Sequence, residues 1–137
     1  MHVLFDTGVI LNFLKDEPDE NNEITFLIDC VERKRITGWM TSASFSEIAQ
    51  AAKDSGKSLE IIKNLLLMFR ITSVDEKILH AALKSPVPGF ENALITESAK
   101  SMNLDCVVSL NRELWEEREI RILSPFDLTT IIEHSGM

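Results

Sequence analysis

Five positions spread along the chain carry side chains that could, if brought together, bind a hard metal ion and cleave a phosphodiester: Asp6, Glu47, Asn92, Ser109 and Asn111. Carboxylate and amide oxygens are the ligands that Mg²⁺ or Mn²⁺ prefers. Two such ions about 4 Å apart can activate water and steady the leaving oxygen. Each position also has a structural explanation. Asp6 can cap the helix that follows it. Ser44 and Glu47, three residues apart, can form a capping box. Asn92 suits a helix surface, and Ser109 with Asn111 suits a turn capping a short helix through Leu114 and Trp115. None of them is specific singly, so the weight falls on order and spacing.

The elements that must position these residues alternate from end to end. Apolar runs at Val3-Leu4-Phe5, 36–40, 70–73, 106–109 and 120–123 read as strands. Between them, helical spacing marks 9–14, 21–33, a helix begun by Thr41-Ser42-Ala43-Ser44 and ending near Gly56, then 58–68, 75–84 and 90–102. Ser124-Pro125-Phe126-Asp127 signals the start of a last helix reaching about His134. The pattern predicts an α/β fold: a three-layer α/β/α sandwich around a central, mostly parallel sheet of four to five strands, with residues 1–137 as one domain. In such sheets functional groups collect beyond the carboxyl ends of strands. Asp6 follows the first strand, Glu47 lies just past the second, and Ser109 and Asn111 follow Val107-Val108. Asn92, preceded by Glu91, sits near the start of the helix leading into that strand.

Composition narrows the function classes. Apolar residues make up 45% and charged residues 26% of the 137, the balance of a globular domain rather than a disordered chain. No apolar run approaches the roughly 18 residues of a membrane span, and the start lacks the pattern of a signal peptide; a cytoplasmic location is expected. A net charge of −8 argues against a general DNA binder. It leaves open a nuclease whose positive charge is supplied by bound metal. Cys30 and Cys106 have no zinc spacing and read as core residues, and the three histidines have no partner motif. A Rossmann glycine fingerprint and a P-loop are both absent, and the acids are not arranged as in a response-regulator receiver.

Taken together, the motifs resemble a known family. Phe5-Asp6-Thr7-Gly8-Val9-Ile10-Leu11 resembles the opening of PIN domains, where a strand-ending Asp precedes Thr-Asn-Val. The stretch 42–49 resembles the second motif, with Glu47 at its acid; Phe90-Glu91-Asn92-Ala93-Leu94 resembles the third, Phe-Glu-Asp-Ala; 105–111 resembles the fourth. Ile122-Leu123-Ser124-Pro125 is similar to the final strand and helix start. The resemblance implies a PIN-like fold and a Mg²⁺- or Mn²⁺-dependent ribonuclease of the VapC-like toxin lineage, with Asp6 and Glu47 as metal ligands and Asn92 in the catalytic set. It implies an RNA substrate, an antitoxin-like protein partner and a homodimer.

The departures from the family pattern fall in the site. Asn92 stands where the third acid belongs, Leu114 where a fourth is frequent, Gly8 in place of Asn, and Asn12 in place of another Asp. Losing one unit charge about 4 Å from a divalent ion forfeits roughly 8 kcal/mol of gross attraction at an effective dielectric of about 20. Desolvation cancels much of that, leaving a loss on the order of a hundredfold in affinity. Glu91 lies about 100° around the helix from Asn92, and Glu97 about 140°, so neither shares its direction. Glu91, and Glu113 beside Leu114, are the acids that could compensate. The expected activity is weak or lost, and the alternative is a PIN-fold binding or assembly module without catalysis.

Overall fold

The computed structural model describes residues 1–15, 22–112, 115 and 119–136. The apolar runs become β1 (His2–Phe5), β2 (Thr37–Thr41), β3 (Arg70–Thr72), β4 (Cys106–Val108) and β5 (Arg121–Leu123). They form one sheet in the order β3-β2-β1-β4-β5, and every neighbouring pair is parallel. The helices are α1 (Thr7–Phe13), α2 (Asn22–Glu32), α3 (Ser42–Asp54), α4 (Leu59–Met68), α5 (Glu76–Lys84), α6 (Phe90–Ser101) and α7 (Pro125–Ser135).

Strand side chains alternate between faces, and here both faces are apolar because both are covered. Val3, Phe5, Met40, Cys106, Val108 and Leu123 point to one side. There they meet Val9 and Ile10 of α1, Leu27 and Ile28 of α2, Ile48 of α3, Leu65 of α4, and Leu128 and Ile132 of α7. Leu4, Trp39 and Val107 point to the other side, against Ile78 and Ala82 of α5 and Ala93, Leu94, Ile95 and Ala99 of α6. The result is the three-layer arrangement expected from the alternation.

The winding decides where a site can form. The chain builds outward through β1, β2 and β3, then returns to lay β4 against β1 and β5 beyond it. Connections therefore leave β1 and β4 in opposite directions, opening a crevice above the carboxyl ends of those two strands. Asp6 and Ser109 are the first residues beyond them.

The opposite end of the sheet is structural. Asp105 accepts a hydrogen bond from the His2 N–H at 2.6 Å. Trp39 Nε1 donates to His2 Nδ1 at 3.0 Å, and the Arg70 guanidinium stacks 5.2 Å from the Trp39 ring. Cys30 and Cys106 are buried, and burial pushes both thiols up, that of Cys106 to about 12. They are neutral core residues at physiological pH. No helix among the described residues is long and apolar enough to cross a membrane.

One strand position is set by sterics. A Cβ on Gly38 would lie 2.7 Å from Phe69 and 2.9 Å from Val31. Phe69 is itself packed edge-on to Phe5 with ring centroids 5.2 Å apart. Gly38→Ala is expected to destabilise the fold by about 1–3 kcal/mol through overpacking, read as a lower urea midpoint at an unchanged slope.

Candidate active site

Asp6 leaves β1 and caps α1. Its Oδ1 accepts from the Thr7 N–H at 2.9 Å, so α1 starts at Thr7, two residues before the apolar spacing alone would begin it. Its Oδ2 accepts from Ser109 Oγ at 2.8 Å across the crevice. The carboxylate is buried, and each oxygen keeps unused lone pairs after one bond. The capping explanation therefore holds for this residue, and it leaves oxygen lone pairs for a further ligand.

Ser109 is fully buried. Its Oγ accepts the Asn111 N–H at 3.1 Å, and its N–H donates to Leu123 O at 2.9 Å. It ties β4, β5 and the following turn to Asp6. Asn111 is exposed, and its contribution to this knot is its backbone. Farther along, buried Trp115 donates from Nε1 to Thr96 Oγ1 at 2.8 Å, and Thr96 donates to Asn92 O at 2.8 Å. The first bond pins Trp115 to α6, and the second lies within that helix. Glu113 and Leu114 lie outside the described residues.

Glu47 sits on α3, one turn beyond a buried group of hydroxyls. Thr7 Oγ1 donates to Ser44 Oγ at 2.7 Å, and Thr41 Oγ1 donates to the same oxygen at 3.0 Å. The Ser44 N–H donates to Thr41 Oγ1 at 2.9 Å, which makes Thr41 the cap of α3. The capping-box explanation of Ser44 and Glu47 thus fails: the cap lies three residues earlier, and Glu47 is well inside the helix. Glu47 is exposed. Sequence reasoning did not single out Thr7 or Thr41, although the Thr-x-x-Ser spacing was there to suggest the cap.

The start of α6 distinguishes Glu91 from Asn92. Asn92 Nδ2 donates to Pro88 O at 3.1 Å, bracing the turn in which Gly89 adopts φ +86°. Its amide nitrogen serves the local backbone. The charge of exposed Glu91, by contrast, is felt at both Asp6 and Glu47. Helical projection indicated that Glu91 would not share the direction of Asn92. In the fold that difference brings Glu91's charge to bear on the two acids.

Electrostatics at the crevice run one way. Burial pushes the Asp6 carboxyl above its ordinary range; the bonds from Ser109 and Thr7 pull it back, and the charge of Glu91 adds to the rise. Glu47 is raised by partial desolvation, then by the charges of Glu91 and Asp6. Burial is the larger cause at both acids, and neighbouring negative charge adds to it. Among the described residues, no three His, Cys, Asp or Glu side chains stand close enough to hold a metal ion unaided. The donor set fits one ion bound through one or two carboxylates with waters and substrate phosphates, the ordinary habit of Mg²⁺. It does not fit a caged pair.

A sequence model described as PIN domain matches residues 2–113. Among solved structures, a toxin–antitoxin complex from Klebsiella pneumoniae superimposes with a TM-score of 0.66 at 16% identity, covering 91% of this chain and 98% of that one. VapBC2 from Rickettsia felis, bound to a DNA fragment from its promoter, gives 0.63 at 15% identity over 90% and 98%. A protein from Pyrobaculum aerophilum gives 0.64 at 16% identity over 98% and 90%. At these identities the likeness establishes the fold. Comparison with curated proteins returns no match.

The raised acids carry a consequence for stability. Their ordinary values are 3.8 and 4.5, and both lie higher in the folded chain. Above those ordinary values the folded state holds more protons than the unfolded one, so stability falls as pH rises through the window. As pH rises above 4.5, the higher of the two ordinary values, Asp6→Asn with Glu47→Gln is expected to flatten the decline expected of wild type. Urea midpoints measured across that range check it; parallel curves would show that the two acids carry no such cost.

Proposed function

The chain belongs to the PIN domain family, and from that membership we propose that it is a divalent-metal-dependent ribonuclease of the toxin–antitoxin kind, attenuated by an incomplete acidic site. The observation that carries the reading is the placing of buried Asp6 above the carboxyl ends of β1 and β4, its Oδ2 held by Ser109 Oγ at 2.8 Å, with Glu47 one turn beyond the Thr7–Ser44 bond. The neighbouring charges of Asp6 and Glu91 add repulsion at Glu47. That repulsion is what a divalent cation relieves. Asp6 and Glu47 would hold the ion, Ser109 would keep the Asp6 carboxylate aimed into the crevice, and Glu91 would add attraction from the start of α6. A bound Mg²⁺ or Mn²⁺ supplies polarised water and positive charge at a phosphate.

An RNA substrate would be drawn by that ion more than by a basic face. Arg33 is paired with Asp29 and Arg112 with Asp127, while Arg35 and Arg70 lie over aromatic rings. Binding to nucleic acid should therefore show a shallow salt dependence. The two neighbours, a toxin–antitoxin complex and VapBC2, motivate an antitoxin-like protein partner. An apolar groove between α3 and α4, lined by Phe45, Ala49, Leu59 and Ile62 with Lys53 and Lys57, suits such a partner. A homodimer, a cytoplasmic location and a single domain over 1–137 belong to the same proposal. The second reading, a non-catalytic module, is favoured by the uncharged amide at Asn92, whose nitrogen braces the Pro88 carbonyl.

Mn²⁺ calorimetry paired with RNA cleavage tests the proposal. Wild type is expected to bind about one ion weakly and to cleave slowly, with both lost in Asp6→Ala. Asn92→Asp is expected to tighten Mn²⁺ binding about tenfold or more, equivalent to about 1.4 kcal/mol, because a charge replaces the amide. Equal cleavage by wild type and Asp6→Ala would mark a contaminant and defeat the ribonuclease reading. Absence of binding in both wild type and Asn92→Asp would favour the module.

A further inference from the structure

Two like-charged side chains on separate elements do not stay close unless something opposes their separation. Asp6 stands at the head of α1, next to Thr7, and Glu47 lies one turn beyond Ser44 on α3, so the 2.7 Å contact of Thr7 with Ser44 brings the two acids to the same end of these helices. The bonds of Asp6 run to Thr7 and Ser109, and none of them reaches α3. α1 and α3 pack together through Val9, Ile10 and Ile48 in the core, and at this end, among the described residues, a buried hydrogen bond from Thr7 Oγ1 to Ser44 Oγ at 2.7 Å also joins them.

We infer that the three buried hydroxyls of Thr7, Thr41 and Ser44 form a clasp that sets the spacing of Asp6 and Glu47, making these three positioning residues for the acidic pair. Thr7 directly follows Asp6, and Ser44 precedes Glu47 by three residues, so each partner of the clasp is covalently close to one acid. Residues three apart on a helix share a side, about 4.5 Å apart along the axis. Thr41 ends β2, so its bond to Ser44 Oγ anchors the clasp to the sheet as well as to both helices. All three residues are at most 4% exposed, which denies them water as a substitute partner. A side chain that only capped α3 would need the Thr41–Ser44 bonds alone. The Thr7 bond spans 37 residues and serves no cap.

A double-mutant cycle on the full chain tests the clasp without metal. Removing charge with Glu47→Gln relieves repulsion while the acids are held together, and relieves less once the clasp is opened. The rise in melting temperature from Glu47→Gln is therefore expected to be larger in wild type than in Thr7→Val. Thr7→Ser, which keeps the hydroxyl, should restore the wild-type response. Ser44→Ala serves as the opened background if Thr7→Val does not fold. Equal rises in clasped and opened backgrounds would overturn the clasp. A second arm rests on the ribonuclease reading: opening the clasp should weaken Mn²⁺ binding about tenfold at temperatures where the variant is fully folded. Wild type that binds no Mn²⁺ defeats that reading and leaves the cycle to decide the clasp. Wild type that binds, with unchanged affinity in a folded Thr7→Val, overturns the clasp itself.

Discussion

The hydrogen bond from Ser109 Oγ to Asp6 Oδ2 joins the ends of β1 and β4 at the place where the winding of the sheet reverses, and the site is organised around it. It bridges 103 residues of chain and is completely buried on the serine side. Because Ser109 also receives the Asn111 N–H and donates its own to Leu123, the bond carries the position of β5 and the following turn to Asp6. A reversal of winding opens a crevice in any doubly wound sheet. Here one carboxylate is fixed at its floor with bonding capacity to spare.

Around that floor, attraction and repulsion are set against each other. Burial and the charge of Glu91 make ionised Asp6 costly, while the bonds from Ser109 and Thr7 favour it. Glu47 is brought near on α3, with the buried hydroxyl group below it. A fold selected for stability alone would have little reason to hold carboxylates this way, and perturbed acids in a crevice are a recognised mark of functional sites. The strain has the sign that a cation removes.

The family pattern and the coordinates address different aspects of the third acid. By motif, Asn92 occupies its place, and its amide instead braces the Pro88-Gly89 turn. By field, Glu91 is the neighbour whose charge reaches the other two acids. An uncharged amide at 92 and a charge at 91 differ in kind: long-range attraction to an ion needs a charge nearby, whereas coordination needs an oxygen at bonding distance.

The amino-acid sequence determined the layers, the strands and the order of the site residues along them, because these depend on local periodicity and on short caps. Val3-Leu4-Phe5 reads as a strand from its apolar run, and Ser124-Pro125-Phe126-Asp127 carries the cap, first-turn proline and acid of a helix start. Motif order also brought Asp6, Glu47 and Ser109 to strand ends before any coordinates. What the tertiary structure decided were relations between distant segments. It moved the cap of α3 from Ser44 to Thr41, joined Thr7 to Ser44, tied Trp115 to Thr96, and set the Asn92 amide nitrogen on Pro88 O. Such pairings turn on the distances and directions that packing imposes, and neither periodicity nor spacing along one chain encodes them.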